Sequence, residues 1–409
     1  MIKLLKNHKA IVLLDQAIFS GTSFFITILL ARILSMENFG VYAGYTLAIY
    51  LVVGGLGAFI IQPFQVLLGK TENKRQYTAF TFWFQLLTMM LLVIGGLIIS
   101  LLSFYHFPLT VLCFAFGFLL NDFGRRLLLA LNLPLQALLL DATTAFFLLT
   151  SLWAFYQFGD EQLFNLYGYF SLAYLPSLLL LWVVIKPFSI KKANALIYFT
   201  EHIKQGKWLF LTAISQWWSS NLFVVAAGIY LGAAALGALR LVQSLMGILN
   251  MVLQTFENYV LPQTAQKLNR QQSEGLSFLT SVSRKAGLLF LPILVISFVF
   301  AEPILVLAGG AAYASFAFVL QGMTLLYMLV FLSQPIRLLI RALLLNEHFF
   351  YGYLISLGFA LLFGHVLLSN YGLIGALMGL ATSQLLLMTY WTIVLRRKKI
   401  YLWKSFISF

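Results

Sequence analysis

The residues of this sequence with chemistry to do are charged side chains set inside apolar runs. Asp15 lies in "VLLDQAIFSGTSFFITILLAR", and Asp122, Arg125, Arg126 and Asp141 lie in "NDFGRRLLLALNLPLQALLLD". Arg337 and Arg341 lie in "SQPIRLLIRALLLN", while Arg240 and Glu257 occupy another such run. An ionisable group in hydrocarbon is costly, so each marks a cavity, a relay or a partner. Asp122 precedes Arg125 and Arg126 by one helical turn, which puts all three on one side of a helix. Arg126 and Asp141 are equidistant from the short turn near residue 133, roughly 11 Å of helical rise away on either side. An Arg126–Asp141 bridge is therefore available, and Asp122, Arg126 and Asp141 read as a structural set pinning two helices. The alternative is a cationic site with one surplus arginine. Arg337 and Arg341 share a face at i,i+4 with no acid in their own run. Taken together, arginines outnumber carboxylates inside the runs, a balance that suits an anionic head group and leaves carboxylates able to titrate.

A polar stripe accompanies Asp15. Gln16, Ser20, Ser23 and Thr27 recur at steps of four, three and four, a helical face that reads as one wall of a lumen with Asp15 near its cytoplasmic mouth. Small-residue helix packing is the other reading for the serines. The stripe has an echo at Thr212, Gln216 and Ser219. Asp15-Gln16 matches Ser215-Gln216, Ser20 matches Ser220, and Phe39-Gly40 matches Leu236-Gly237. Two matching halves in one membrane orientation imply parallel repeats facing a common cavity.

The elements that must position these residues are apolar runs of membrane-spanning length. About twelve occur, near 10–31, 39–69, 79–104, 108–131, 135–158, 162–185, 207–231, 237–261, 286–308, 315–344, 349–369 and 372–395. The runs are continuous rather than alternating, which indicates helices and not barrel strands. The runs 39–69 and 315–344 exceed a simple span and imply tilt, a kink or an end outside the bilayer. The fold class is an all-α polytopic membrane protein of about 12 helices in two six-helix bundles. Its lobes are expected at 1–186 and 207–409, the latter ending in a basic tail, with a cytoplasmic linker at 187–206. The composition agrees: 61% hydrophobic and 9% charged residues, against roughly 25% charged in a soluble domain. The formal net charge of +14 falls on alternate connections, since every Lys and Arg except Arg32 and Arg240 maps to one side. That asymmetry is the positive-inside signal, with both termini cytoplasmic, and does not describe a nucleic-acid surface. The loops are too short to hold a soluble catalytic domain. With one cysteine, Cys113, the chain has no disulfide framework and no thiolate metal site, and no cofactor is expected.

Three stretches carry a family resemblance. "LLARILSMENFGVYAGYTLA" resembles the first helical junction of polysaccharide flippases, with an Ala-Arg pair before a short outer loop and Phe-Gly-x-Tyr after it. "NDFGRRLLLALNLPLQALLLD" resembles the hairpin of helices 4 and 5 in one branch of the family, and "EPILVLAGGAAYASFAFVLQGM" looks like its helix 9–10 region, with glycine and tyrosine at the outer turn. Together they resemble the multidrug/oligosaccharidyl-lipid/polysaccharide (MOP) exporter superfamily, on its Wzx-like, O-antigen flippase side.

The resemblance implies a MATE/MOP-like fold and alternating access between two bundles in the bacterial inner membrane. It implies a substrate, an undecaprenyl-diphosphate-linked oligosaccharide moved to the outer leaflet for polymerase machinery, and exchange against H+ or Na+. On that basis Arg125, Arg126, Arg240, Arg337 and Arg341 would attract the anion. Asp15, Asp141 and Glu257 would be ion-coupling sites, with Gln16, Ser20, Ser23, Thr27, Gln216 and Ser219 on the lumen wall. The chain departs from an acid at the repeat-equivalent position, where it has Ser215, which confines an ion site to the first lobe. The alternatives are a multidrug or small-molecule exporter of the same superfamily, expected to have a more acidic or aromatic lumen, and a membrane polysaccharide polymerase.

Overall fold

The computed structural model describes residues 8–102, 108–158, 163–187 and 192–402. Among the described residues the regular structure is entirely helical. The first half comprises α1 (His8–Ile33), α2 (Met36–Leu67), α3 (Lys74–Leu102), α4 (Leu109–Ala130), α5 (Pro134–Phe158) and α6 (Leu163–Ile185). The second half begins with α7 (Lys192–Leu231), α8 (Ala233–Arg270) and α9 (Gln272–Val299), then a short helix, Ala301–Gly309, and α10 (Ala317–Ala342). A final 52-residue helical segment, Asn346–Arg397, is broken at Gly372, whose φ of 54° and ψ of −134° no helix contains. It therefore forms two helices, α11 (346–371) and α12 (373–397).

Ten described segments are long and apolar enough to cross a membrane. The charged helix α4, with 22 residues, is also of spanning length, and Gly372 divides the last segment into two. The apolar runs of the sequence thus each have their helix, and the protein is a multi-pass membrane protein. Large apolar side chains such as Leu101, Leu102, Phe158, Leu288 and Leu362 stand exposed on the helices, as a hydrocarbon solvent requires.

The long run at 39–69 is a continuous helix, α2, interrupted by a π-helical turn at Gly57–Ile61. In the expected linker 187–206 the described residues from Lys192 onward are helical, and so are residues 262–270 and 272–285. Lys192 already opens α7, and only Gln271, in extended conformation, separates α8 from α9.

The chain packs as two compact units: Met1–Ile26 with Tyr45–Ile214, and Thr27–Gly44 with Ser215–Phe409. The hairpin made by the end of α1 and the start of α2 belongs to the second unit, together with α8. There Gly40 and Gly237, matched positions of the sequence repeat, meet at a helix crossing. A Cβ on Gly237 would lie 3.3 Å from the Gly40 Cα, and one on Gly40 would overlap the Ala233 carbonyl. Only glycine permits so close an approach of two backbones. In the same unit Arg32 Nε donates to the Leu307 carbonyl at 3.1 Å and the Ala308 carbonyl at 3.2 Å, capping the C-terminal end of the Ala301–Gly309 helix.

Candidate functional site

In the first unit the hairpin α4–α5 is set by its turn. Asn132 has φ 58°, the left-handed conformation asparagine tolerates, and Leu133 N donates to the Leu128 carbonyl at 2.9 Å while Asn132 N donates to the Leu129 carbonyl at 3.1 Å. This pair of bonds is a Schellman cap, and Pro134 then starts α5 where its missing N–H costs nothing. The turn fixes the register in which α4 presents its arginines to α5.

The pairing differs from the one spacing makes available. Asp141 is taken by Arg125, Nε to Oδ2 at 2.7 Å, and not by Arg126. Arg126 instead binds Asp122 on its own helix, Nε to Oδ2 at 2.8 Å. The reason is a residue outside the hairpin. Asp15 of α1 reaches the same guanidinium, with Arg125 Nη2 donating to its Oδ2 at 2.8 Å and also to Gln16 Oε1 at 2.8 Å. The Phe19 ring covers the guanidinium carbon at 4.3 Å. Arg125 therefore turns inward between two carboxylates. Arg126, half-exposed, lies against the π-helical turn of α2, 3.3 Å from where a Gly57 Cβ would stand.

Asp15 is fully buried. Within the cluster Asp15 Oδ1 and Asp141 Oδ1 have no hydrogen-bond partner among the described residues. Two carboxylates on one arginine leave an excess negative charge that a proton or small cation would neutralise. The stripe continues outward, with Gln16 Nε2 donating to Ser20 Oγ at 2.8 Å and Ser23 3.5 Å from the Tyr50 hydroxyl. Thr27 falls in the second unit.

The second unit holds a polar cavity of about 400 Å³. Of the residues singled out in the sequence it brings together Gln216, Ser219, Arg240 and Arg337. Arg341 does not line it. Instead Arg341 forms an ion pair with Glu257 of α8, and Arg337 lies 3.8 Å from the other oxygen of that carboxylate. The acid missing from α10 is thus supplied by α8. Both guanidiniums lie 6.0 Å from the Phe349 ring centroid. Arg240 donates to Gln243 Oε1 at 2.9 Å. No carboxylate lines the cavity among the described residues, whereas two arginines do.

Sequence reasoning missed the uncharged part of this lining: Asn250, Ser333, Gln334, Ser383 and Gln384, with Trp391. Gln243 and Asn250, seven residues apart, mark one face of α8, and Gln334 and Arg337 one face of α10. That spacing was readable, but uncharged amides and hydroxyls do not stand out beside the arginines they accompany. Ser219 Oγ donates to Ser356 Oγ at 2.8 Å, and Gln384 Nε2 donates to Ser333 Oγ at 2.6 Å.

With this geometry in place, comparison with known proteins narrows the class. The family model described as "Polysaccharide biosynthesis protein" matches residues 29–317, well over half of the chain. The chain belongs to this family. Comparison with curated protein sequences finds no match. Among solved structures, this family member is similar to lipid II flippase MurJ in an inward closed conformation, with a TM-score of 0.72, 14% identity, and 97% of this chain and 89% of that one covered. It is also similar to an inward-facing multidrug resistance MATE transporter of the MOP superfamily, with a TM-score of 0.69, 13% identity, and 96% and 98% coverage. A third is a MOP superfamily transporter from Pyrococcus furiosus described as having reversed binding-pocket polarity, with a TM-score of 0.62, 13% identity, and 97% of both chains covered. At these identities the likeness is one of fold, and the family member has the MOP transporter fold that its sequence resembled.

Proposed function

We propose that the protein is a flippase that moves an undecaprenyl-diphosphate-linked oligosaccharide from the cytoplasmic to the outer leaflet of a bacterial inner membrane, supplying surface polysaccharide or O-antigen synthesis. The observation that carries this reading, beside the family, is the cavity lined by Arg240 and Arg337 and by no carboxylate among the described residues. Such a lining favours an anion and repels the cationic amphiphiles a drug exporter would carry. Glu257 serves as counterion to the Arg337–Arg341 pair, holding Arg337 at the cavity wall. Alternating access between the two six-helix lobes, 1–186 and 207–409, exposes the cavity to one leaflet at a time while the lipid tail stays in the bilayer.

Ion coupling falls to the Asp15–Arg125–Asp141 cluster. H+ or Na+ bound at either carboxylate removes the excess negative charge and weakens the hold of Arg125 on α1 or α5. Arg126, on the exposed side of α4, attracts the diphosphate. The basic connections set both termini in the cytoplasm, and the flipped unit passes to polymerase machinery at the outer leaflet.

Deleting the gene in its native host should accumulate lipid-linked saccharide on the cytoplasmic side, and wild-type gene should restore export. Arg126→Ala, Arg337→Ala and Asp15→Asn should each impair complementation. Full export by all three variants would contradict the charged-site mechanism. Drug sensitivity without a glycan defect in the deletion strain would contradict the flippase reading in favour of a small-molecule exporter.

A further inference from the structure

The cavity of the second unit is built mainly from carboxamides and hydroxyls, and an anion alone would not need them. We infer that it is a saccharide subsite, which takes one pyranose residue bearing hydroxyl or acetamido groups. This rests on the reading of the protein as a flippase of lipid-linked saccharide, and says which part of that substrate the cavity holds.

A sugar hydroxyl both donates and accepts, and so does a carboxamide, which presents two N–H donors and a carbonyl acceptor. Gln216, Gln334 and Gln384 provide three such groups around one space. Part of this capacity is unspent: Gln334 Oε1 and Ser383 Oγ have no hydrogen-bond partner among the described residues, although the two residues are only 4% and 3% exposed. Buried polar atoms are normally paired, so two unpaired ones on residues that line the cavity are hydrogen-bonding capacity that a side-chain rotation would turn toward a ligand. Arg337 Nε, on the same wall, is likewise without an acceptor.

The cavity is bounded on one side by Trp391, which is 1% exposed and belongs to the apolar core that holds the lining in place. Trp391 is fixed from behind: its Nε1 donates to the His348 carbonyl at 3.1 Å, and its ring stacks on Phe349 with an interplanar angle of 1°. Gly352 lets the indole seat this deeply, since a Cβ there would overlap Trp391 Nε1. The volume of about 400 Å³ falls within the roughly 300–1,000 Å³ of small-molecule sites.

The test compares two soluble probes on the purified full-length protein: farnesyl diphosphate, and farnesyl-diphosphate-linked N-acetylglucosamine. The glycosylated probe should bind wild type at least about tenfold tighter, the equivalent of one or two well-formed hydrogen bonds. Gln334→Leu and the near-isosteric Ser383→Ala should each reduce that ratio to within about threefold, with melting temperature reporting whether each variant is folded. Equal affinity of wild type for the two probes would overturn the saccharide subsite while leaving the lipid-diphosphate reading standing. A ratio preserved in both variants would also overturn it, by placing the sugar elsewhere. Failure of wild type to bind either probe would overturn the flippase reading and the subsite with it.

Discussion

Arg125 and Asp15, 110 residues apart, meet at 2.8 Å in a buried site that Asp141 shares. One guanidinium thus joins α1, α4 and α5, and its removal should act on folding before it acts on transport. Breaking a buried ion pair by deleting one partner costs about 3–5 kcal/mol. Arg125→Ala should therefore lower the melting temperature of the purified protein sharply. Asp15→Asn keeps the side-chain size and an acceptor, so it should melt close to wild type while transport loses its dependence on a proton or sodium gradient. A Asp15→Asn variant with unaltered gradient dependence would remove Asp15 from coupling.

Arg337 and Arg341 share Glu257, but only Arg337 lines the cavity. Arg337→Ala should lower export by at least about tenfold, the loss of a single charged contact to substrate. Arg341→Ala should lower it far less. Complementation of the deletion strain, with export measured as surface glycan, checks the order of the two effects.

Gly40 and Gly237 cross with backbones in contact. Alanine at either should sharply reduce the yield of folded protein. Gly44→Ala is the control, because the nearest atom to its Cβ would be Leu236 Cδ2 at an ordinary 3.4 Å. There the gain in helix propensity, about 0.5–1 kcal/mol, should keep or raise stability. Size-exclusion profiles and thermal melts of the three variants distinguish these outcomes.

Asn132 holds the α4–α5 turn at φ 58°. Asn132→Val places a β-branched side chain in the left-handed region and should cost about 1–2 kcal/mol. Asn132→Gly should be tolerated. Thermal melting in detergent reads both.

Much of the fold was legible because hydrocarbon imposes helices of known length, and each apolar run has its helix. The positions of Gly40 and Gly237 were legible as a repeat, though not as a contact. The charge pairings were only partly readable. Spacing places Arg126 level with Asp141 along an ideal hairpin, but it cannot see Asp15, which arrives from α1 and draws Arg125 inward. Glu257 and the Arg337–Arg341 pair escaped for the same reason, since their partnership spans two helices. The amides of the cavity carry no charge, so nothing in the sequence set Gln334 or Gln384 apart from surface glutamines until the helices α7, α8 and α10–α12 enclosed a space.

The most direct measurement of the central claim is flipping by the purified protein in proteoliposomes. Undecaprenyl-diphosphate-linked saccharide is placed in both leaflets, and the fraction open to an external, membrane-impermeant glycosidase is followed over time. The account predicts that wild-type protein brings inner-leaflet substrate to the outer surface, and that Arg337→Ala slows this strongly. Accessibility that never exceeds that of protein-free liposomes, under a proton or a sodium gradient of either direction, would contradict it.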